Sequence, residues 1–485
     1  MSFLAYDLTF LSVFIVLVVT FIYLKKKNLK REGILLLYKT KWGIDLIHRT
    51  GSKYKRTIRV LSYISVFIGY LLAIGAVYLV GRIVWLYVFQ PAFVRAVGIP
   101  PITPLFPYID KLAPSLHLPP FYFTYWVIII AVIAIFHEFA HGIFAARNKV
   151  KIKSTGFGFF PFFLPIFLAA FVELDEKRMA RKKIFDQLAV LSAGTFANLI
   201  TAILSFGILL GFFALAFAPG GVIFNPSDIT SPSASSFYPF TVINVSSVTM
   251  VGNNSVINPS YQQILSLMNN SGLNEVMAGN EDYLITKSSI EAQNNTEKIA
   301  VYYDAPAIRA GLAGIILDIN GQKINDAGQL STELHKYSPG DSIVLTMMNN
   351  SRVYNQTIIL AENPGNKGHA WLGIVLIEKE NNGIMNQLYN VVSSFRDSNV
   401  YYASKIGDFG IFIYNLLWWL AIIAISVALV NMLPVGIFDG GRFFYLTVLA
   451  ITKRENIAKN AFKVMTYFFL FVLVVVMAFW IFYIK

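Results

Sequence analysis

Two of the six histidines in this 485-residue chain sit four apart, with a glutamate between them, in "IFHEFAHGIF" (residues 135–144). On a helix, His137 and His141 share one face, one turn above each other. Two imidazoles so placed can meet a single metal ion. Glu138 is one residue on and points about 100° round the helix. That is too far round to join the pair as a ligand, yet near enough to reach a water beside the metal. A catalytic zinc takes three protein ligands and keeps a fourth position open. A neighbouring carboxylate then accepts the proton of the attacking water. The chain has no cysteine, so a metal must be held by His, Asp or Glu.

The surrounding run is apolar enough to lie in lipid, which weakens the alternative of two merely packed histidines. Ionisable groups at membrane depth are costly and usually mark function. A third ligand is needed. Asp7, Asp408 and Asp439 are the acidic residues in or beside apolar runs. The histidine motif lies toward the cytoplasmic end of its helix, and only Asp439 lies at such an end. It falls in "LVNMLPVGIFDGGRFFY" (429–445). There Pro434 stops a helix, and Gly436, Gly440 and Gly441 permit a tight backbone path. Irregular backbone at membrane depth is tolerated where it is buried in protein or lines a wet cavity. The competing reading is an ordinary helix-ending loop with an N-cap Asp.

The elements that must position these groups are membrane helices. The chain is 56% hydrophobic. Apolar runs near 8–24, 60–89, 121–146, 186–218, 408–433 and 461–484 approach or exceed the roughly 20 residues that span a bilayer. Lys and Arg crowd residues 25–59, 147–183 and 442–463, which alternate to one side. The positive-inside rule makes that side the cytoplasm. The net charge of +13 is then an orientation signal, and the expected partner is a lipid bilayer, not nucleic acid. The first run has no basic stretch before it and reads as a retained anchor with its N-terminus outside. The other side receives the Pro-rich loop 91–120 and a domain over 219–400. That domain carries nine Lys/Arg against fifteen Asp/Glu. All six Asn-x-Ser/Thr sequons, at Asn244, Asn253, Asn269, Asn294, Asn349 and Asn355, fall within it, which fits an external location.

Taken together, these features resemble the site-2 protease family of intramembrane zinc metalloproteases, in a prokaryotic or archaeal form. "HEFAH", "SAGTFANLI" (192–200) and "NMLPVGIFDGG" (431–441) carry the resemblance. The resemblance implies that His137, His141 and Asp439 bind Zn2+ and that Glu138 is the general base. It implies that Asn198 holds the oxyanion or the substrate backbone, for which a helix–helix hydrogen bond is the alternative. Asn431 carries the same ambiguity, and with Pro434 it would lie at the substrate. Residues 154–176, apolar but broken by Gly156, Gly158, Pro161 and Pro165, correspond to a membrane-embedded hairpin and loop. Its strand edge could pair with an unwound substrate, and a re-entrant loop with no substrate role is the alternative.

"DAPAIRAGLAGIILDINGQKINDAGQLSTELHKYSPGDSIVLTM" (304–347) is similar to a PDZ domain of the kind attached to membrane proteases. A PDZ domain holds peptide ends by adding a strand to a sheet edge. The segment 248–268 repeats part of its order and reads as a degenerate second copy or as a polar insertion.

The expected fold is a mainly α-helical polytopic membrane protein of about six transmembrane helices. It has a re-entrant hairpin or loop and an inserted α+β PDZ-like extracytoplasmic domain. The expected domains are an anchor and basic loop (1–59), a membrane domain with the histidine helix (60–218), the PDZ-like domain (219–400) and a closing membrane domain (401–485). Residues 1–24 and the loop after them read as an extension outside the usual catalytic core. The expected activity is hydrolysis of a peptide bond in or near the transmembrane helix of single-span membrane proteins, in regulated intramembrane proteolysis. The alternatives are an ion- or proton-coupled transporter, for which no repeated halves are visible, and an inactive PDZ scaffold, which would not need Glu138.

Overall fold

A computed structural model describes residues 3–484 except 33–34, 92–93, 96–104, 113–117, 160–167, 227–235, 294–296, 350–351 and 377–394. Most of the Pro-rich loop, Pro161 and Pro165, and the sequon at Asn294 lie outside the described residues. The chain divides into two compact units. One comprises residues 1–213 and 411–485, and the other comprises residues 214–410.

The first unit begins with α1 (Phe3–Lys25), strands β1 (Leu29–Glu32) and β2 (Leu35–Thr40), and α2 (Ile44–Lys53). It continues through α3 (Lys55–Phe89), α4 (Phe123–Arg147), β3 (Ile152–Phe159), β4 (Leu168–Leu174) and α5 (Ile184–Ala216). Four of these helices are long and apolar enough to cross a membrane. With two from the C-terminal part, there are six such helices among the described residues. Helices are the natural element here, because lipid offers no partner to backbone N–H and C=O groups.

The stretch after the histidine helix is a pair of antiparallel strands, with Phe157 opposite Ala170. The sheet is larger than the hairpin. Its order is β1-β2-β3-β4, with Tyr38 of β2 opposite Phe157 of β3. Gly156 permits this pairing, since a Cβ there would overlap the Tyr38 carbonyl oxygen. Lys39 on β2 donates to Glu173 on β4 (2.9 Å), and so does Ser154 Oγ (2.6 Å). Among the described residues, β4 is an edge strand.

The N-terminal segment, expected to stand outside the core, packs directly on the motif helix. Asp7 of α1 is 1% exposed. Its carboxylate accepts the backbone N–H groups of Phe123 (2.9 Å) and Thr124 (2.9 Å), together with the hydroxyls of Thr124 (2.6 Å) and Tyr108 (2.7 Å). The residue at the α4 N-cap, Tyr122, makes no side-chain cap. Asp7 therefore supplies from another helix the acceptors that free N-terminal N–H groups need. Near the other end of α4, Gly142 lets Ile47 of α2 lie against the helix; a Cβ on Gly142 would stand 3.0 Å from Ile47 Cδ1. Ile47 is fully buried. Composition alone gave no sign of either contact.

The second unit opens with β5 (Phe217–Phe224), β6 (Phe240–Asn244), β7 (Val248–Val251), β8 (Asn254–Ser255), α6 (Tyr261–Leu267), β9 (Asn274–Ala278), β10 (Glu281–Ile285) and β11 (Lys298–Tyr303). It continues with β12 (Gly314–Ile319), β13 (Gln322–Lys323), α7 (Ala327–Leu334), β14 (Ser342–Asn349), β15 (Arg352–Ile359) and β16 (Val400–Ser404). One arrangement occurs twice. β7 pairs with β8 and β9, and β9 pairs with β10. Likewise β12 pairs with β13 and β14, and β14 pairs with β15. A helix with a side-chain N-cap, Ser260 in one and Asp326 in the other, joins the corresponding strands. Each copy has its own apolar core, one around Val251, Ile264 and Val301 and one around Ile316, Leu330 and Leu345. The first is a six-stranded sheet in its own right.

The chain returns through α8 (Gly407–Val430), α9 (Asp439–Thr452) and α10 (Glu455–Ile484). The connection between α8 and α9 is irregular. Met432, Leu433, Pro434 and Val435 are buried in it. Gly440 donates to the Asn431 carbonyl (2.7 Å). A Cβ on Gly440 would overlap the Met432 carbonyl.

Candidate metal centre

Three elements converge on the histidines. α4 carries His137 and His141, α9 begins at Asp439, and α5 passes beside them with Gly194 and Asn198. His137 Nε2 lies 3.0 Å from His141 Nε2. Each of these nitrogens lies 3.2 Å from Asp439 Oδ2. The three atoms form a nearly equilateral triangle. Zinc with tetrahedral bonds of about 2.0–2.1 Å would set its ligand atoms about 3.3–3.4 Å apart. The donor set of two imidazoles and a carboxylate suits that ion. The residues present therefore fit zinc, and this is a candidate metal site.

The rest of each imidazole is fixed. His141 Nδ1 meets the Val190 carbonyl at 2.7 Å. His137 Nδ1 meets the Asn198 amide at 3.0 Å. Both rings are buried, and Asn198 is fully so. The room for them comes from Gly194. A Cβ there would stand 2.6 Å from His137 Nε2 and would also overlap His141 Nε2. Gly194 went unnoticed as a functional position in the sequence. The signal was present in "SAGTFANLI", where a glycine four positions before Asn198 marks a face for close helix contact.

Glu138 sits off to one side of the triangle, as its place one residue on requires. Its carboxylate accepts the backbone N–H of Val172 on β4 (2.9 Å). A narrow cleft beside Glu138 is lined by Trp42, Phe139, Phe157, Phe171 and Val172.

The other acidic candidates are elsewhere. Asp7 caps α4, and Asp408 lies in the first turn of α8. Asn431 and Pro434 belong to the connection that delivers Asp439, and Asn431 is half-buried there.

Among the described residues, six helices long and apolar enough to cross a membrane and a His-His-Asp cluster held between them define a polytopic membrane protein with a candidate metal site. The family model of peptidase family M50 matches residues 125–476. The chain belongs to that family, the site-2 proteases, whose members are zinc-dependent membrane metallopeptidases. The chain is also 47% identical over 74 residues to an uncharacterized protein of Methanocaldococcus jannaschii, a match spanning 15% of this chain and 19% of that protein.

Proposed function

We propose that this protein is an intramembrane zinc metalloendopeptidase that cuts single-span membrane proteins within or near their transmembrane helix. The observation that carries this reading is the triangle of His137 Nε2, His141 Nε2 and Asp439 Oδ2, with sides of 3.0 to 3.2 Å, beside Glu138. Zinc, when bound, supplies a Lewis acid that polarises a carbonyl and makes water more acidic. His137, His141 and Asp439 would hold it. Glu138 takes the proton of the attacking water and later returns it to the leaving amine. A helical substrate hides its carbonyls in internal hydrogen bonds, so it must unwind before attack. The open edge of β4 suits an unwound segment, which would pair there by strand addition. Asn431 and Pro434 shape the wall that carries Asp439.

In this reading the paired modules of residues 240–359 are PDZ-like and extracytoplasmic. They select substrates or hold freshly cut peptide ends. The basic segments then face the cytoplasm, and the active site opens toward that side. Cleavage there releases a cytoplasmic fragment, as regulated intramembrane proteolysis requires.

The test measures bound zinc and cleavage of a model single-span substrate, with purified protein in detergent or liposomes. Glu138→Gln is expected to keep zinc and to lose cleavage by at least 100-fold. His137→Ala is expected to lose the metal as well. Ion flux without cleavage in either form would instead identify a transporter. Equal substrate binding with no cleavage by the natural chain would identify a scaffold.

A further inference from the structure

A histidine that ligates through Nε2 carries its remaining proton on Nδ1, and that N–H needs an acceptor. For His141 the acceptor is plain. Its Nδ1 lies 2.7 Å from the Val190 carbonyl, which can only accept. Among the described residues, His137 Nδ1 meets the side chain of Asn198, and the amide atom it meets is the nitrogen, at 3.0 Å. An amide nitrogen donates. This orientation suits an imidazole whose proton is on Nε2, directed at Asp439. It does not suit one whose Nε2 lone pair faces a metal. The Asn198 oxygen, meanwhile, is buried and has no hydrogen-bond partner among the described residues. A half-turn of the amide exchanges its two atoms at no cost in shape.

We propose that Asn198 is a positioning residue for the metal site, which accepts the Nδ1 proton of His137 through its amide oxygen and so keeps Nε2 free to ligate. The proposal rests on the zinc reading above. It differs from a role at the oxyanion, which needs the amide to donate. It also differs from a plain interhelical contact, which would serve in either orientation. The position of the residue agrees. Asn198 is 0% exposed and lies one turn along α5 from Gly194, the residue whose missing side chain admits both rings. α5 therefore contributes three things to the centre, the Val190 carbonyl at His141, space at Gly194 and an acceptor at Asn198.

Aspartate and leucine at 198 separate the readings, because both approximate the shape of asparagine. Aspartate can only accept, and leucine can do neither. The measurement is zinc affinity by chelator competition on the full chain, with thermal unfolding of the metal-free forms as the folding control. Asn198→Leu is expected to weaken zinc about 10- to 100-fold. Asn198→Asp is expected to hold zinc within about twofold of the natural chain or more tightly, since the acceptor is kept. Natural affinity in Asn198→Leu overturns the proposal. So does a loss in Asn198→Asp as large as that in Asn198→Leu, which would mean that the amide must donate. If the leucine variant does not fold, the aspartate variant decides alone, by holding zinc or losing it tenfold. A natural chain that binds no zinc refutes the metal reading itself, a result distinct from any of these.

Discussion

At the scale of single residues, the centre depends as much on an absent side chain as on its ligands. Gly194 is in contact distance of both imidazoles, and a methyl group there would occupy the space of the metal-facing nitrogens. Gly194→Ala is therefore expected to weaken zinc by at least tenfold while leaving the helices intact. Chelator competition alongside circular dichroism checks this. Retention of natural zinc affinity would show that α5 can move aside. The histidine pair and Glu138 were legible in the sequence because helical spacing alone fixes their relation. Asp439 was reachable by a weaker argument, its place at the correct end of an apolar run. Its distance from the histidines was not, since it is separated from His137 by some three hundred residues and only packing sets the gap.

At the scale of elements, the motif helix is held at both ends by the segment that precedes it. Asp7 gives four acceptor contacts at the start of α4. Asp7→Ala leaves two backbone N–H groups and two hydroxyls without that partner. It should destabilise the protein by about 2 kcal/mol or more, read as a lowered unfolding midpoint in detergent. Ile47→Ala opens a cavity against Gly142 and should cost about 2–5 kcal/mol, read in the same assay, with cleavage falling as the motif helix loosens. The sheet adds a dependence on pH. Hydrogen bonds from Ser154 and then from Lys39 hold the Glu173 carboxyl below its ordinary range. A carboxyl lowered in the folded state contributes stability above its unfolded value, and this is lost as pH falls through the folded value. The stability gap between the natural chain and Glu173→Gln should be constant above about pH 5 and shrink progressively on acidification below that. A gap that does not shrink on acidification at all would show that the carboxylate is not what joins β2 to β4. None of these contacts has a sequence signature. An aspartate in an apolar anchor reads as a ligand candidate until its partners are seen.

For the whole molecule, the second unit leaves and returns at one place. β5 and β16 are antiparallel, with Phe217 opposite Ser404. Domains with adjacent ends tolerate excision and independent expression. A fragment of residues 214–410 is expected to fold alone with a cooperative transition, because both repeated modules contain their own cores. The remaining chain, closed by a short turn in place of residues 217–404, should bind zinc with natural affinity. Loss of zinc on excision would show that the unit is needed to assemble the centre.

The sequence by itself determined the class of protein. Long apolar runs can satisfy their backbone in lipid only as helices, and a histidine pair one turn apart has few uses other than a metal. Six spans, the His-Glu-His motif and the inserted domain follow from local pattern, which neighbouring residues decide among themselves. Tertiary structure alone decided the rest: the 3.2 Å approach of Asp439, the space at Gly194, the cap from Asp7 and the β2–β3 pairing. These depend on contacts between residues tens to hundreds of positions apart, whose energies are set by shape and burial and leave no periodic trace in the chain.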